Sequence, residues 1–231
     1  MTSDILNIVG NGANKVLIFD DFMLEPQKVI KAACELSPFP HAPKEVYYPG
    51  LRLTILPEMS DAASYIGAIY NSILPIMSHF HGAKSMEIVD CNFSMVTDRP
   101  EELHLYQTAP HFDSLDENHF AILHYLSPNH NSGTSIYRHN STGFEQINNN
   151  NIDTFMQKYN EELYNSHREK KYMNGSDEFY TEIFRVDGKF NRLAIYQGSL
   201  LHSGNIYENE NLSSDPLVGR LTSNIFISIK K

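Results

Sequence analysis

Cysteine is scarce in this chain: Cys34 and Cys91 are the only two in 231 residues. Extracellular scaffolds stapled by disulfides carry more, and evenly paired, so the count points to a reducing compartment. Positive charge is also short, with eighteen Lys and Arg against twenty-eight Asp and Glu and a formal net charge of −10. A phosphate backbone or an anionic membrane face repels such a surface, which argues against nucleic acid as a partner. Nowhere do the roughly 18 consecutive apolar residues needed to cross a bilayer occur. The N-terminus has no basic residue before Lys15 and no sustained apolar stretch of a secretory signal. A cytoplasmic protein without a membrane span is therefore expected. No internal repeat is present, and the absence of H-E-x-x-H argues against zinc peptidase chemistry.

What is present suffices for one globular domain over 1–231, at 41% apolar and 20% charged residues. Residues 15–19 (KVLIF) form a short apolar run. Pro26 follows where a helix takes its first turn, and Val29, Ile30, Ala33 and Leu36 recur at helical spacing until Pro38 and Pro40. A longer helix is predicted over 61–80, capped by Ser60 or Asp61. Ile66, Ile69, Tyr70, Ile73, Leu74 and Met77 share one face, Pro75 predicts a kink or an early break, and Gly82 marks the end. From Met86 the composition shifts to short runs rich in Ile, Val, Tyr, Phe and Thr between turn residues, the pattern of antiparallel strands. One helical period, from Ile152, interrupts them near 152–169. The fold class expected is mainly β with helical support (α+β). Residues 1–85 supply an N-terminal strand and helices packed on one sheet, and 86–231 form a jelly-roll or double-stranded β-helix core.

Chemistry concentrates in the β part. His111-x-Asp113 precedes a β run, and on an extended chain residues two apart face the same side, where an imidazole and a carboxylate can share one ion. Composition alone supplies such a pair about as often as not, and His167-x-Glu169, on a predicted helix, puts its two side chains on different faces. The company of the first pair matters more. LAIYQGSLLHSG places His202 after a strand and a Gly-containing turn. Two histidines and one carboxylate on one face of an octahedron leave three positions open, as in non-heme Fe(II) oxygenases. Arg220 and Thr222 lie two apart at the start of the last strand, where a guanidinium can take a carboxylate bidentately and a hydroxyl can add a bond.

The order H-x-D, a strand ending in YLS, a Gly-Thr turn, Y-x-G-S-x-x-H and an Arg-x-Thr strand resembles the 2-oxoglutarate/Fe(II)-dependent dioxygenases, especially their prolyl-hydroxylase-like branch. It is also similar to an uncharacterised bacterial family of that superfamily in which PH-x-DS, GT-x-x-YRH and STGFE recur. The resemblance covers about residues 86–229. It implies that His111, Asp113 and His202 ligate Fe(II) and that Arg220 anchors the C5 carboxylate of 2-oxoglutarate with help from Thr222. Tyr106 would touch this cosubstrate. The implied reaction uses O2 to hydroxylate a small molecule, amino acid or peptide side chain while 2-oxoglutarate becomes succinate and CO2. The retained Asp113 argues against a halogenase. Eighteen positions separate His202 from Arg220, longer than is usual in the branch, and YENENLSSDP reads as an inserted acidic loop.

Two readings of another kind stay open: a jelly-roll binding module without redox chemistry, and another cupin-like metalloenzyme with Arg220 outside the pocket. His124 shares a strand face with Ile122 and Leu126 and reads as a core histidine. Tyr196 reads first as a buried core aromatic. Arg138 and His139 either recognise a substrate carboxylate or serve the Ser141-Thr142-Gly143 turn, and His79 and His81 suit the C-terminal end of a helix. Substrate choice is expected from loops 41–57, 97–110, 139–150 and 205–218, with 139–185 as a lid over the opening.

Overall fold

A computed structural model describes residues 5–43, 47–165 and 168–231. Strand periodicity and turn chemistry organise most of it. The hairpin β1 (Leu6–Val9) and β2 (Asn14–Phe19) is joined by GNGA, in which Gly10 (φ +68°) and Ala13 (φ +50°) turn the chain. Helix α1 (Pro26–Glu35) starts on its proline, as expected. A further strand, β3 (Gly50–Thr54), lies in a stretch read from sequence as loop. Its apolar signal is short and interrupted by Arg52, so only pairing in the sheet reveals it.

Helix α2 (Ser60–His81) runs on through Pro75 without a break. Pro75 and Asn71 are both exposed, so the carbonyl that loses its amide partner can turn to water. The helix begins one residue early: Met59 holds the cap position with no side-chain bond, and neither Ser60 nor Asp61 caps it. Its end is as the sequence predicts, with Gly82 at φ +71° in the left-handed region.

The remaining strands are β4 (Ser85–Val96), β5 (His119–Tyr125), β6 (Thr134–His139), β7 (Tyr180–Val186), β8 (Arg192–Gln197), β9 (His202–Gly204) and β10 (Leu221–Lys230). They form a seven-stranded sheet in the order β1-β2-β8-β5-β10-β4-β3 facing a three-stranded sheet, β7-β6-β9, and every paired neighbour is antiparallel. This is the double sheet expected, but the N-terminal third contributes three of the seven strands as well as its helices. Helices α1 and α2 cover the outer face of the large sheet, where Ile69, Ile73 and Met77 meet Phe93, Phe120 and Ile225. Helix α3 (Ile152–Asn165) covers the small sheet, with Phe155, Tyr159 and Leu163 against Tyr137, Tyr180 and Leu201. Its predicted continuation through His167 lies outside the described residues. Among those described, no helix is long and apolar enough to cross a membrane.

Candidate functional site

The inner faces of the two sheets meet in an apolar core that opens at one end into a cavity of about 340 Å³. Its floor is built where β9 meets the segment before β5. His111 and His202 pair as an isolated antiparallel bridge, each backbone N–H donating to the other's carbonyl at 2.9 and 2.8 Å. The N–H of Asp113 donates to the Gly198 carbonyl at 2.6 Å. Position 198 must be glycine for this approach, because a Cβ there would stand 2.6 Å from the His119 ring and 3.3 Å from the Asp113 Cβ.

These backbone bonds bring together three side chains far apart in sequence. One potential ligand atom from each of His111, Asp113 and His202 lies within 4.8 Å of the others. Asp113 Oδ1 is 3.8 Å from His111 Nε2, and Asp113 Oδ2 is 3.5 Å from His202 Nε2. The three side chains are 24%, 16% and 7% exposed. His202 Nδ1 lies 2.8 Å from the Leu200 carbonyl. A carbonyl only accepts, so Nδ1 carries the proton and the Nε2 lone pair is left facing the cluster, as a metal-binding imidazole requires. Burial, reinforced by the neighbouring His202, pushes His111 well below the usual histidine range and keeps it neutral. Tyr47 stacks on the His111 ring at 4.9 Å, and Tyr196 meets His202 edge-on at 4.9 Å. Burial and the nearby Asp113 raise the Tyr196 hydroxyl far above its ordinary pKa, so it stays protonated.

Across the cavity from this cluster lies Arg220, which is buried. Its Nε and one Nη donate to the carbonyls of Ser132 and Gly133 at 3.0 and 3.2 Å, and it forms no ion pair among the described residues. A buried guanidinium with its charge unmatched calls for an anion. Thr222 also lines the cavity, but its hydroxyl donates to Asn224 Oδ1 at 2.9 Å. A residue that sequence reasoning did not single out lies beside Arg220 and Thr222: among the described residues the fully buried Tyr48 hydroxyl has no hydrogen-bond partner within bonding distance. Tyr106, by contrast, lies outside the cavity lining, with its ring stacked on His104 and edge-on to Tyr47. Tyr106 was implied by the family resemblance, which places a tyrosine five residues before His111. Tyr48 arrives by way of the unforeseen β3, and its only local signal is an aromatic pair before Pro49.

Residues 5–227 match the family of unknown function DUF6445. The chain belongs to this family. No curated protein matches it significantly. Among solved structures it resembles HygX from Streptomyces hygroscopicus with nickel and 2-oxoglutarate bound, at 11% identity over 94% of this chain and 84% of that one, with a TM-score of 0.53. It also resembles AviO1 from Streptomyces viridochromogenes Tue57, at 8% identity over 93% and 90% and a TM-score of 0.55. A prolyl-4-hydroxylase of Pseudomonas putida aligns over 95% of both chains at 11% identity and a TM-score of 0.50. At such identities the likeness shows the shared jelly-roll fold.

Within this DUF6445 chain the other polar candidates serve structure. His124 is fully buried between Tyr65 and Asn191. Asn191 Oδ1 also accepts the Met23 N–H, so His124 Nε2 donates to it and Nδ1 accepts from the Tyr65 hydroxyl. Arg138 donates twice to Glu145, whose carboxylate also takes the N–H groups of Asn11 and Gly12 and the Asn14 amide, fastening the β1–β2 turn to the STGFE turn. Gly10 allows this closeness, since a Cβ there would stand 2.2 Å from Glu145 Oε2. His139, fully buried, bridges Thr142 and Glu162. The inserted acidic loop is held by Glu210 against the buried His130, which this bond shifts upward in pKa. Of the expected specificity loops, 41–57, 97–110 and 205–218 reach the cavity and 139–150 does not; among the described residues of the expected lid, Tyr172 alone lines it.

Proposed function

We propose that this protein is an Fe(II)- and 2-oxoglutarate-dependent oxygenase that hydroxylates a small molecule, amino acid or peptide side chain in the cytoplasm. One observation carries the reading. Two imidazoles and a carboxylate converge at the floor of a cavity whose wall holds a buried Arg220 with no ion-pair partner and a Tyr48 hydroxyl with no hydrogen-bond partner among the described residues. The donor set fits a divalent iron, with two imidazole nitrogens and one carboxylate oxygen clustered at the floor of an open cavity. The wall fits a dicarboxylate of which one end is left for Arg220 and Tyr48.

The residues divide the work. His111, Asp113 and His202 would hold the metal, and the Leu200 carbonyl keeps the His202 lone pair aimed at it. Arg220 offers charge and Tyr48 a hydroxyl proton to the distal carboxylate of the cosubstrate. Tyr47, Tyr196 and the apolar inner faces of the sheets exclude water around the reacting groups. When bound, the iron supplies the activation of O2 that no amino-acid side chain provides. Overall, one substrate C–H, O2 and 2-oxoglutarate become the alcohol, succinate and CO2.

The test is anaerobic addition of Fe(II) and 2-oxoglutarate. A weak visible charge-transfer band should appear, and succinate release should follow on admitting air. Both should vanish in His111→Ala and Asp113→Ala. A band and turnover that survive these changes, or a wild-type protein that shows neither, sink the proposal and leave the pure binding module in its place.

A further inference from the structure

The cavity holds a second cation that the cosubstrate reading does not use. Arg52 lies on β3, the edge strand of the large sheet, opposite Ser94. Its side chain reaches into the cavity, where the guanidinium sits 4.6 Å over the Tyr48 ring and Nε donates to Ser94 Oγ at 3.2 Å. It shares the cavity lining with His111, Asp113 and His202. Among the described residues no carboxylate pairs with it, although the protein has ten more acids than bases. A half-buried arginine with no carboxylate partner among the described residues is unusual in so acidic a chain, and among those residues its Nη groups have no hydrogen-bond acceptor.

Charge counting says what it awaits, on the strength of the function proposed above. A divalent metal, Asp113, a doubly charged 2-oxoglutarate and Arg220 sum to zero. Among the side chains that line the cavity, Arg52 then adds one uncompensated positive charge. We infer that Arg52 is the receptor for a carboxylate on the substrate to be oxidised, so that the substrate class is small molecules bearing a single free carboxylate near the reacting carbon. A dianionic phosphomonoester would overshoot this balance, and a neutral substrate would leave Arg52 unmatched. Tyr48 adjoins both cations: its ring supports Arg52, and Arg220 lies near its hydroxyl.

The test uses matched probes, a panel of N-acetyl amino acids and the corresponding N-acetyl amino-acid amides, which differ only in carboxylate against carboxamide. Binding is measured calorimetrically to the full chain loaded with Mn(II) and N-oxalylglycine, which does not turn over. At least one acid should bind roughly tenfold or more tightly than its amide, the worth of a charge-assisted bond. Arg52→Gln should abolish that preference while the Kd for 2-oxoglutarate, read from the Fe(II) charge-transfer band, moves less than about fivefold, the worth of the lost ring contact. The inference is overturned if acids and amides bind wild-type protein equally, or if no acid binds at about 10 mM. It is also overturned if Arg52→Gln weakens 2-oxoglutarate more than the acids, which would make Arg52 part of the cosubstrate site. The acid–amide comparison on wild-type protein needs no variant and stands even if Arg52→Gln does not fold. A wild-type protein lacking the charge-transfer band fails the function proposed above, whereas a normal band with no acid preference fails only the role of Arg52.

Discussion

The two faces of the large sheet carry opposite chemistry on the same strands. Along β10, Leu221, Ile225, Ile227 and Ile229 enter the core under α1 and α2, while Arg220, Thr222, Asn224 and Phe226 line the cavity. Along β5, Phe120, Ile122 and His124 face the helices, and Ala121, Leu123 and Tyr125 face inward. A buried histidine lies on either side of the large sheet, His124 on its helix-covered face and His202 on β9 of the small sheet opposite its inner face, and the two have different fates. Both ring nitrogens of His124 are satisfied by protein groups. In His202 only Nδ1 is, through the Leu200 carbonyl, and Nε2 points at Asp113. Burial alone thus does not make a histidine a ligand. What matters is whether the fold leaves one lone pair unspent beside other donors.

Exchanging the two histidines' losses tests this contrast most severely. His202→Ala should weaken Mn(II) binding at least about a hundredfold by calorimetry, while urea unfolding shifts by only about 1 kcal/mol, the worth of one hydrogen bond. His124→Ala should do the reverse, costing about 3 kcal/mol through a cavity and two orphaned partners while metal affinity stays unchanged. A metal defect in His124→Ala would erase the distinction between the faces.

Acid should separate the faces next. Burial holds His124 down to about 4, from an unfolded value near 6.5. The unfolded chain therefore binds the extra proton first. The stabilising contribution of neutral His124 is complete above about 6.5 and drains away as pH falls through about 4, a total of about 3 kcal/mol. Denaturation followed across this window should show the slope in the wild type and lose it in His124→Ala.

Within the cavity face the expected effects are smaller and graded. Tyr48→Phe should raise the KM for 2-oxoglutarate roughly tenfold in succinate-release assays, because it removes a bond to a charged group. Thr222→Val should change it by less than about threefold, since that hydroxyl already donates to Asn224. A larger loss for Thr222→Val than for Tyr48→Phe would return the anchoring role to the residue first read from the sequence.

Much of this was legible in the chain. The period-two runs after Met86 give the strands, the 3.6-residue period of 61–80 gives α2, and the order of H-x-D, a distant histidine and R-x-T gives the cluster and its arginine. The rest depended on distant partners. Pro75 suggested a kink or an early break, and its exposed side lets the helix continue unbroken; β3 was hidden because an edge strand interrupted by an arginine has little local signal. The resemblance pointed to Tyr106, whereas Tyr48, far from His111 in sequence, reaches the cavity through the pairing of β3 with β4.

What the sequence determined by itself is what short-range period and residue chemistry set: most of the strands and helices though not β3, the apolar face of each, and which side chains can bind metal. Tertiary structure alone decided which of those side chains converge and which are already satisfied, that His202 keeps a lone pair while His124 does not, and that Arg52 and Tyr48 share the cavity with Arg220. The reason is that hydrogen-bond satisfaction depends on partners brought from distant strands, and no local period records them.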